Sequence, residues 1–169
     1  MQNSFKENIK IQLIASAREY FKMLDKMIVV GSDDFENRKK YTLKFSKTNY
    51  LHLTGVISQL KPEEFFNRCF DGIISVDDFD YNKIKNKSNI KTKLRCLVYI
   101  SSVFCDEVLV QEDFVKNKIF CKLATTNSTC TIGFTGGERS LWPRTILNKN
   151  RLDESRPIYT VKPIILKNK

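Results

Sequence analysis

At 169 residues, 41% of them hydrophobic, the chain has the length of one domain spanning 1–169 and apolar content for one core of ordinary size, not for a second. Its 29 Lys and Arg against 19 Asp and Glu give a formal net charge of +10, which concentrates phosphate-bearing partners through the long-range field, although plain solubility uses the same charge. Five cysteines, Cys69, Cys96, Cys105, Cys121 and Cys130, are odd in number and lack C-x-x-C spacing, which argues against a disulfide framework and a zinc knuckle. Lys10, Arg18, Glu19 and Lys22 interrupt any signal peptide, and no segment approaches the ~20 apolar residues of a membrane span, so a soluble protein of the reducing cytoplasm is expected.

Phe5, Ile9, Leu13, Ala17, Tyr20, Phe21 and Leu24 recur as one helical stripe, which predicts a packing helix within residues 5–26. Met27 to Val30, ended by Gly31, Ser32 and Asp33, and Tyr41 to Phe45 predict a β-hairpin with a loop at 31–40. Tyr50 to Val56 reads as a strand: Leu51 and Leu53 point to one face and leave Tyr50, His52 and Thr54 side by side on the other. Pro62, Glu63 and Glu64 open a helix whose buried face is Phe65, Phe66, Cys69 and Phe70 and which Gly72 closes; Asp77 and Asp78 open a shorter one. The stretch from Lys83 to Arg95 holds six basic residues and no acidic one, which fits either a solvated helix face or a phosphate-tracking surface.

Short β-like runs follow at Val108–Val110, Ile119–Ala124, Thr129–Phe134 and Ile158–Leu166, with Thr126, Asn127 and Ser128 as a hairpin turn and Gly136 and Gly137 ending the third run. The expected fold is α+β, with N-terminal helices packed on a small, mainly antiparallel sheet. The lack of alternating βαβ spacing and of a phosphate-binding glycine loop argues against a doubly wound nucleotide-binding fold.

A single histidine and scattered carboxylates cannot assemble the usual metal clusters, and the missing Gly-x-Ser-x-Gly elbow argues against a Ser-His-Asp hydrolase; neither metal nor cofactor is expected. What remains is a cationic site. Cleaving RNA by in-line attack of its own 2′-hydroxyl needs a base, an acid for the departing 5′-oxygen, and cations for the charge gathering on phosphorus. His52 is the candidate proton-transferring group, since an ordinary imidazole titrates near ~6.5; the alternative is a histidine satisfying a core hydrogen bond. In the segment Trp142 to Leu147, Arg144 offers a planar fork of donors and Thr145 a hydroxyl, the alternative being a surface arginine in a turn. Lys122, Thr125 and Ser128, on or beside the predicted hairpin, are further candidates to line the sheet face, with Tyr50 and Trp142 as aromatic walls.

Taken together, Tyr50-Leu51-His52-Leu53-Thr54-Gly55-Val56, the helix with Phe65 and Phe66, and Ile132-Gly133-Phe134 followed by Pro143-Arg144-Thr145-Ile146-Leu147 form a familiar pattern. It resembles the phage- and mobile-element-associated branch of the superfamily that groups barnase, EndoU, the tRNA-cleaving colicins and RelE. The resemblance implies a metal-independent ribonuclease with its active site on the open face of a small sheet, His52 and Thr54 supplying the histidine and a supporting hydroxyl, and Arg144 and Thr145 the basic residue and hydroxyl after the proline. The leading expectation is therefore an endoribonuclease acting on RNA in a phage, mobile-element or toxin–antitoxin setting; such an activity needs restraint, and an acidic antitoxin or immunity-type partner fits the basic charge by complementarity. Two other readings stand beside it: an NAD-using ADP-ribosyltransferase, for which none of Glu107, Glu112, Glu138 or Glu154 is convincingly placed, and a catalytically silent RNA- or protein-binding module in which Tyr50, Trp142 and Tyr159 stack on bases.

Overall fold

The computed structural model describes residues 2–82 and 87–167. The stripe of Phe5, Ile9, Leu13, Ala17 and Tyr20 is buried along α1 (Gln2–Phe21), which lies against α3 (Pro62–Asp71) and α4 (Lys87–Val98). α3 carries the signals read from its sequence: Pro62 in the first turn, Glu63 and Glu64 at the positive end of the dipole, and Gly72 at φ 75° donating its N–H to the carbonyls of Arg68 and Cys69. Asp77 and Asp78 lie in a single 3-10 turn, Val76–Asp78, capped by Ser75. The first residues of the basic stretch, 83–86, lie outside the described residues; the rest of it forms most of α4.

The segment read as a strand is a helix, α2 (Lys47–Thr54). Ser46 caps it, with its hydroxyl accepting from the Thr48 N–H and the Asn49 side chain reaching back to the Ser46 N–H, and Gly55 ends it at φ 80°. Within seven residues two periods compete: Leu51 and Leu53 alternate, whereas Tyr50, Leu53 and Thr54 follow helical spacing, and the helical set is the one that is buried. The shared face expected of Tyr50, His52 and Thr54 therefore does not exist, and consecutive even positions point about 200° apart around the helix axis at 3.6 residues per turn.

Eight strands form one curled sheet: β1 (Lys26–Gly31), β2 (Lys40–Lys44), β3 (Val108–Lys116), β4 (Ile119–Thr126), β5 (Cys130–Gly136), β6 (Leu141–Asn148), β7 (Tyr159–Val161) and β8 (Ile164–Lys167), in the order β7-β3-β4-β5-β6-β2-β1-β8. The β1–β2 and β4–β5 hairpins match the sequence reading. The small, mainly antiparallel sheet does not: the sheet is large and mixed, because β2 pairs with β6 in parallel, Leu43 opposite Leu141. The run at 158–166 is two strands, β7 and β8, at opposite edges, separated by Lys162 and Pro163. β6 has no counterpart among the predicted β-like runs; its Pro143, which cannot donate to the ladder, is accommodated next to a bulge.

The main apolar cluster runs from α1 through α2, α3 and α4 onto the sheet, including Tyr20, Tyr50, Phe65, Phe66, Phe134 and Leu43. Full burial of each such side chain contributes roughly 1.5–3 kcal/mol. All five cysteines are free thiols, four of them buried and Cys105 exposed. Among the described residues no helix is long and apolar enough to cross a membrane.

Candidate functional site

α2 packs against β6 and α4, and this junction gathers three cationic or titratable side chains from three elements: His52 in the last turn of α2, Lys93 on α4 and Arg144 on β6. Each placement has a local cause. His52 falls on the exposed side of α2 because Tyr50, Leu53 and Thr54 claim the buried side. Lys93 is half-buried, its stem lying over Gly55, where a Cβ would come within 3.3 Å of Lys93 Cδ; glycine at the end of α2 thus serves both the left-handed turn and the lysine's approach.

Arg144 is the extra residue of a β-bulge. Gly133 pairs with Thr145 and Phe134 with Pro143, which leaves Arg144 without an opposite number on β5. Bulges re-aim a side chain and occur often beside active sites. The close packing behind the bulge depends on Gly133, where a Cβ would lie 2.6 Å from Cys121 Sγ and 2.9 Å from Thr145 Cγ2.

The three side chains lie close enough to influence one another's charge. Burial holds the imidazole of His52 below its ordinary pKa, and the positive charges of Lys93 and then Arg144 push it lower. Burial likewise lowers the ammonium pKa of Lys93. Burial pushes the Cys121 thiol up to about 11, with Arg144 pulling against it. Among the described residues no carboxylate forms an ion pair with His52, Lys93 or Arg144; the four ion pairs lie elsewhere. The cluster thus sets an imidazole whose pKa is lowered beside two cations with no ion-paired carboxylate among the described residues, an arrangement suited to accept a proton and stabilise an anion.

His52 is the chain's single histidine, so its ring proton titrates alone in a proton NMR spectrum. Its midpoint should fall below the ordinary ~6.5, and Lys93→Gln, by removing one of the two opposing charges, should move it upward. A midpoint at or above the ordinary value, or one that Lys93→Gln leaves in place, would separate the ring from the cations.

The other residues singled out in the sequence are placed differently. Tyr50 is wholly buried, its hydroxyl donating to the Leu13 carbonyl at 2.8 Å and paired with Ser16 Oγ at 2.6 Å, so it is a core residue and not a site wall. Thr54 is also buried; its hydroxyl donates to the Leu51 carbonyl at 2.6 Å and accepts from the Val56 N–H, closing the end of α2. Thr145 is buried next to the bulge with its methyl toward Gly133. Thr125 is buried, and its Oγ1 has no hydrogen-bond partner among the described residues. Ser128 sits exposed in the β4–β5 turn at φ 77°. Lys122 lines a separate depression with Arg38, Tyr41 and Asp113. Trp142 is partly exposed on β6, beside Gly136. The structure therefore brings His52 and Arg144 together and adds Lys93, which the sequence marked only as one cation in a run of six.

His52 and Lys93 come from the helical layer and Arg144 from the sheet, so the cluster lies where the two layers meet and not wholly on an open sheet face. Among the described residues no group of three or more His, Cys, Asp or Glu side chains is placed to hold a metal ion. No curated protein and no solved structure matches the chain. Residues 10–168, nearly its whole length, match the protein family described as phage-Barnase-EndoU-ColicinE5/D-RelE like nuclease4. The resemblance carried by the histidine and arginine segments thus extends from α1 to β8, and the chain belongs to this phage-associated family of nucleases.

Proposed function

We propose that this nuclease cleaves RNA without a metal ion, by attack of a ribose 2′-hydroxyl on the adjacent phosphorus. The observation that carries this reading is the gathering of His52, Lys93 and Arg144 from α2, α4 and β6 at one junction, with no carboxylate ion-paired to any of the three among the described residues. His52 takes the proton of the 2′-hydroxyl as the 2′-oxygen–phosphorus bond forms. Its depressed pKa keeps the ring in the base form at neutral pH. Arg144 presents two parallel N–H donors to the non-bridging oxygens, where negative charge grows. Lys93, whose burial makes its ammonium a stronger acid than an ordinary lysine, gives a proton to the departing 5′-oxygen as the phosphorus–oxygen bond breaks. The products are a 2′,3′-cyclic phosphate and a free 5′-hydroxyl.

An RNA-cleaving activity of this kind is toxic unless restrained, so an acidic inhibitor of the antitoxin or immunity type, covering the cationic junction in the cytoplasm of a host carrying a phage or mobile element, accompanies the proposal. Incubation of the purified protein with single-stranded RNA in excess chelator tests the chemistry. Cleavage should persist and leave 2′,3′-cyclic phosphate ends. Loss of cutting on chelation, or equal cutting of DNA, which lacks the 2′-hydroxyl, would overturn it.

A further inference from the structure

Lys93 also lines a cleft of about 470 Å³ between α4, β6 and the tip of the β3–β4 hairpin, a volume in the range of sites that hold small ligands. Its cations are Lys93, Lys116 and Arg151; Asn117 and Asn148 add amides, and Ile146 supplies an apolar floor. None of the residues lining it is acidic, whereas the depressions beside Asp77, Asp78 and Asp80 and beside Asp113 and Glu138 both carry carboxylates. The cleft adjoins the candidate active site, because Lys93 belongs to both and Ile146 lies two residues beyond Arg144 on β6.

The cationic ends are held by fixed backbone. Lys116 precedes a two-residue hairpin turn in which Asn117 and Lys118 both adopt positive φ, 51° and 66°, the geometry that matches strand twist. The Arg151 N–H donates to Thr131 Oγ1 at 2.9 Å, Thr131 Oγ1 donates to the Lys149 carbonyl at 2.7 Å, and Arg151 Nε donates to the Asn148 carbonyl at 2.7 Å. With Nε so anchored, the two terminal nitrogens of the guanidinium remain for a ligand. From Arg144 to Asn148 the strand rises ~13 Å, enough to extend a bound chain beyond one nucleotide.

We propose that this cleft is a second phosphate subsite, in which Lys116 and Arg151 grip the backbone of a single-stranded RNA whose scissile phosphate lies at His52 and Arg144. The subsite rests on the ribonuclease reading for its substrate. It makes the enzyme favour a chain over a dinucleotide, since remote binding energy helps position the reacting bond.

Binding of a single-stranded RNA oligonucleotide to the native protein and to Lys116→Gln/Arg151→Gln, measured by fluorescence anisotropy over a range of salt, tests it. The double variant should bind at least about tenfold more weakly, and the slope of log affinity against log salt should shrink by about 1.4, the loss of two single-strand phosphate contacts. Lys116→Gln alone, which leaves the Arg151 turn intact, should shrink the slope by about 0.7, half the decrease of the double variant. In turnover assays, the advantage of a longer oligonucleotide over a dinucleotide in kcat/KM should disappear in the double variant. Affinity and slope equal to native in both variants would refute the subsite whether or not RNA is cut; native binding and variant loss without any cleavage would instead uphold the subsite and sink the ribonuclease reading.

Discussion

Replacing His52 by alanine should lower RNA cleavage at least ~100-fold, the effect of losing a positioned acid–base group, while leaving the thermal melting curve close to native. The structural half of this expectation follows from α2. His52 lies on its exposed side, and alanine is the better helix former, so the capped helix keeps its ends and its buried face. The chemical half follows from the absence of a substitute: with no other histidine in the chain, a neutral base at this position has no alternative imidazole. A folded His52→Ala protein that cleaves RNA at the native rate would remove the ring from the reaction, and an unfolded one would make it structural.

Tyr50→Ala should be the opposite case, a loss of stability of about 3–5 kcal/mol from deleting a buried aromatic side chain. That is a large part of the 5–15 kcal/mol that typically separates a folded domain from its unfolded chain. Tyr50 packs among Tyr20, Phe65 and Phe66, with ring centroids 5.3, 6.1 and 5.3 Å away, and its hydroxyl joins α2 to α1. Tyr50→Phe retains the ring and should cost only about 0.5–1.5 kcal/mol, the net worth of a hydrogen bond. Denaturant unfolding measures both. If Tyr50 instead walled the substrate groove, the alanine variant would melt like the native protein and bind RNA more weakly.

What the sequence made legible was set by how local the signals are. α3 was readable from end to end because Pro62, the two glutamates, the Phe65-Phe66 pair and Gly72 all lie within one short stretch and agree. α2 was misread because Leu51 and Leu53 satisfy strand alternation as well as Tyr50, Leu53 and Thr54 satisfy a helix; the deciding feature, Asn49 closing a capping box with Ser46, replaces the usual Glu or Gln at that position. Lys93 shares its local surroundings with the other cations of its run, and only the tertiary contact with Gly55 distinguishes it. The exposure of Arg144 depends on an unpaired position between β5 and β6, a matter of register that no single strand encodes. The cationic character of the site was visible in the net charge, but the lack of an ion-paired carboxylate among the described residues had to come from the fold.

The parallel pairing of Leu43 with Leu141 is the seam along which the sheet is stitched from two pieces distant in the chain. β2 leads directly into α2 and so carries His52 from one piece, while β6 carries Arg144 from the other. The two side chains of the candidate site therefore straddle a joint, like teeth on two jaws, and meet only when this pairing between distant parts of the chain has formed. A partly folded chain, even one with its hairpins formed, would hold the two groups apart, so that the candidate site arrives together with this seam.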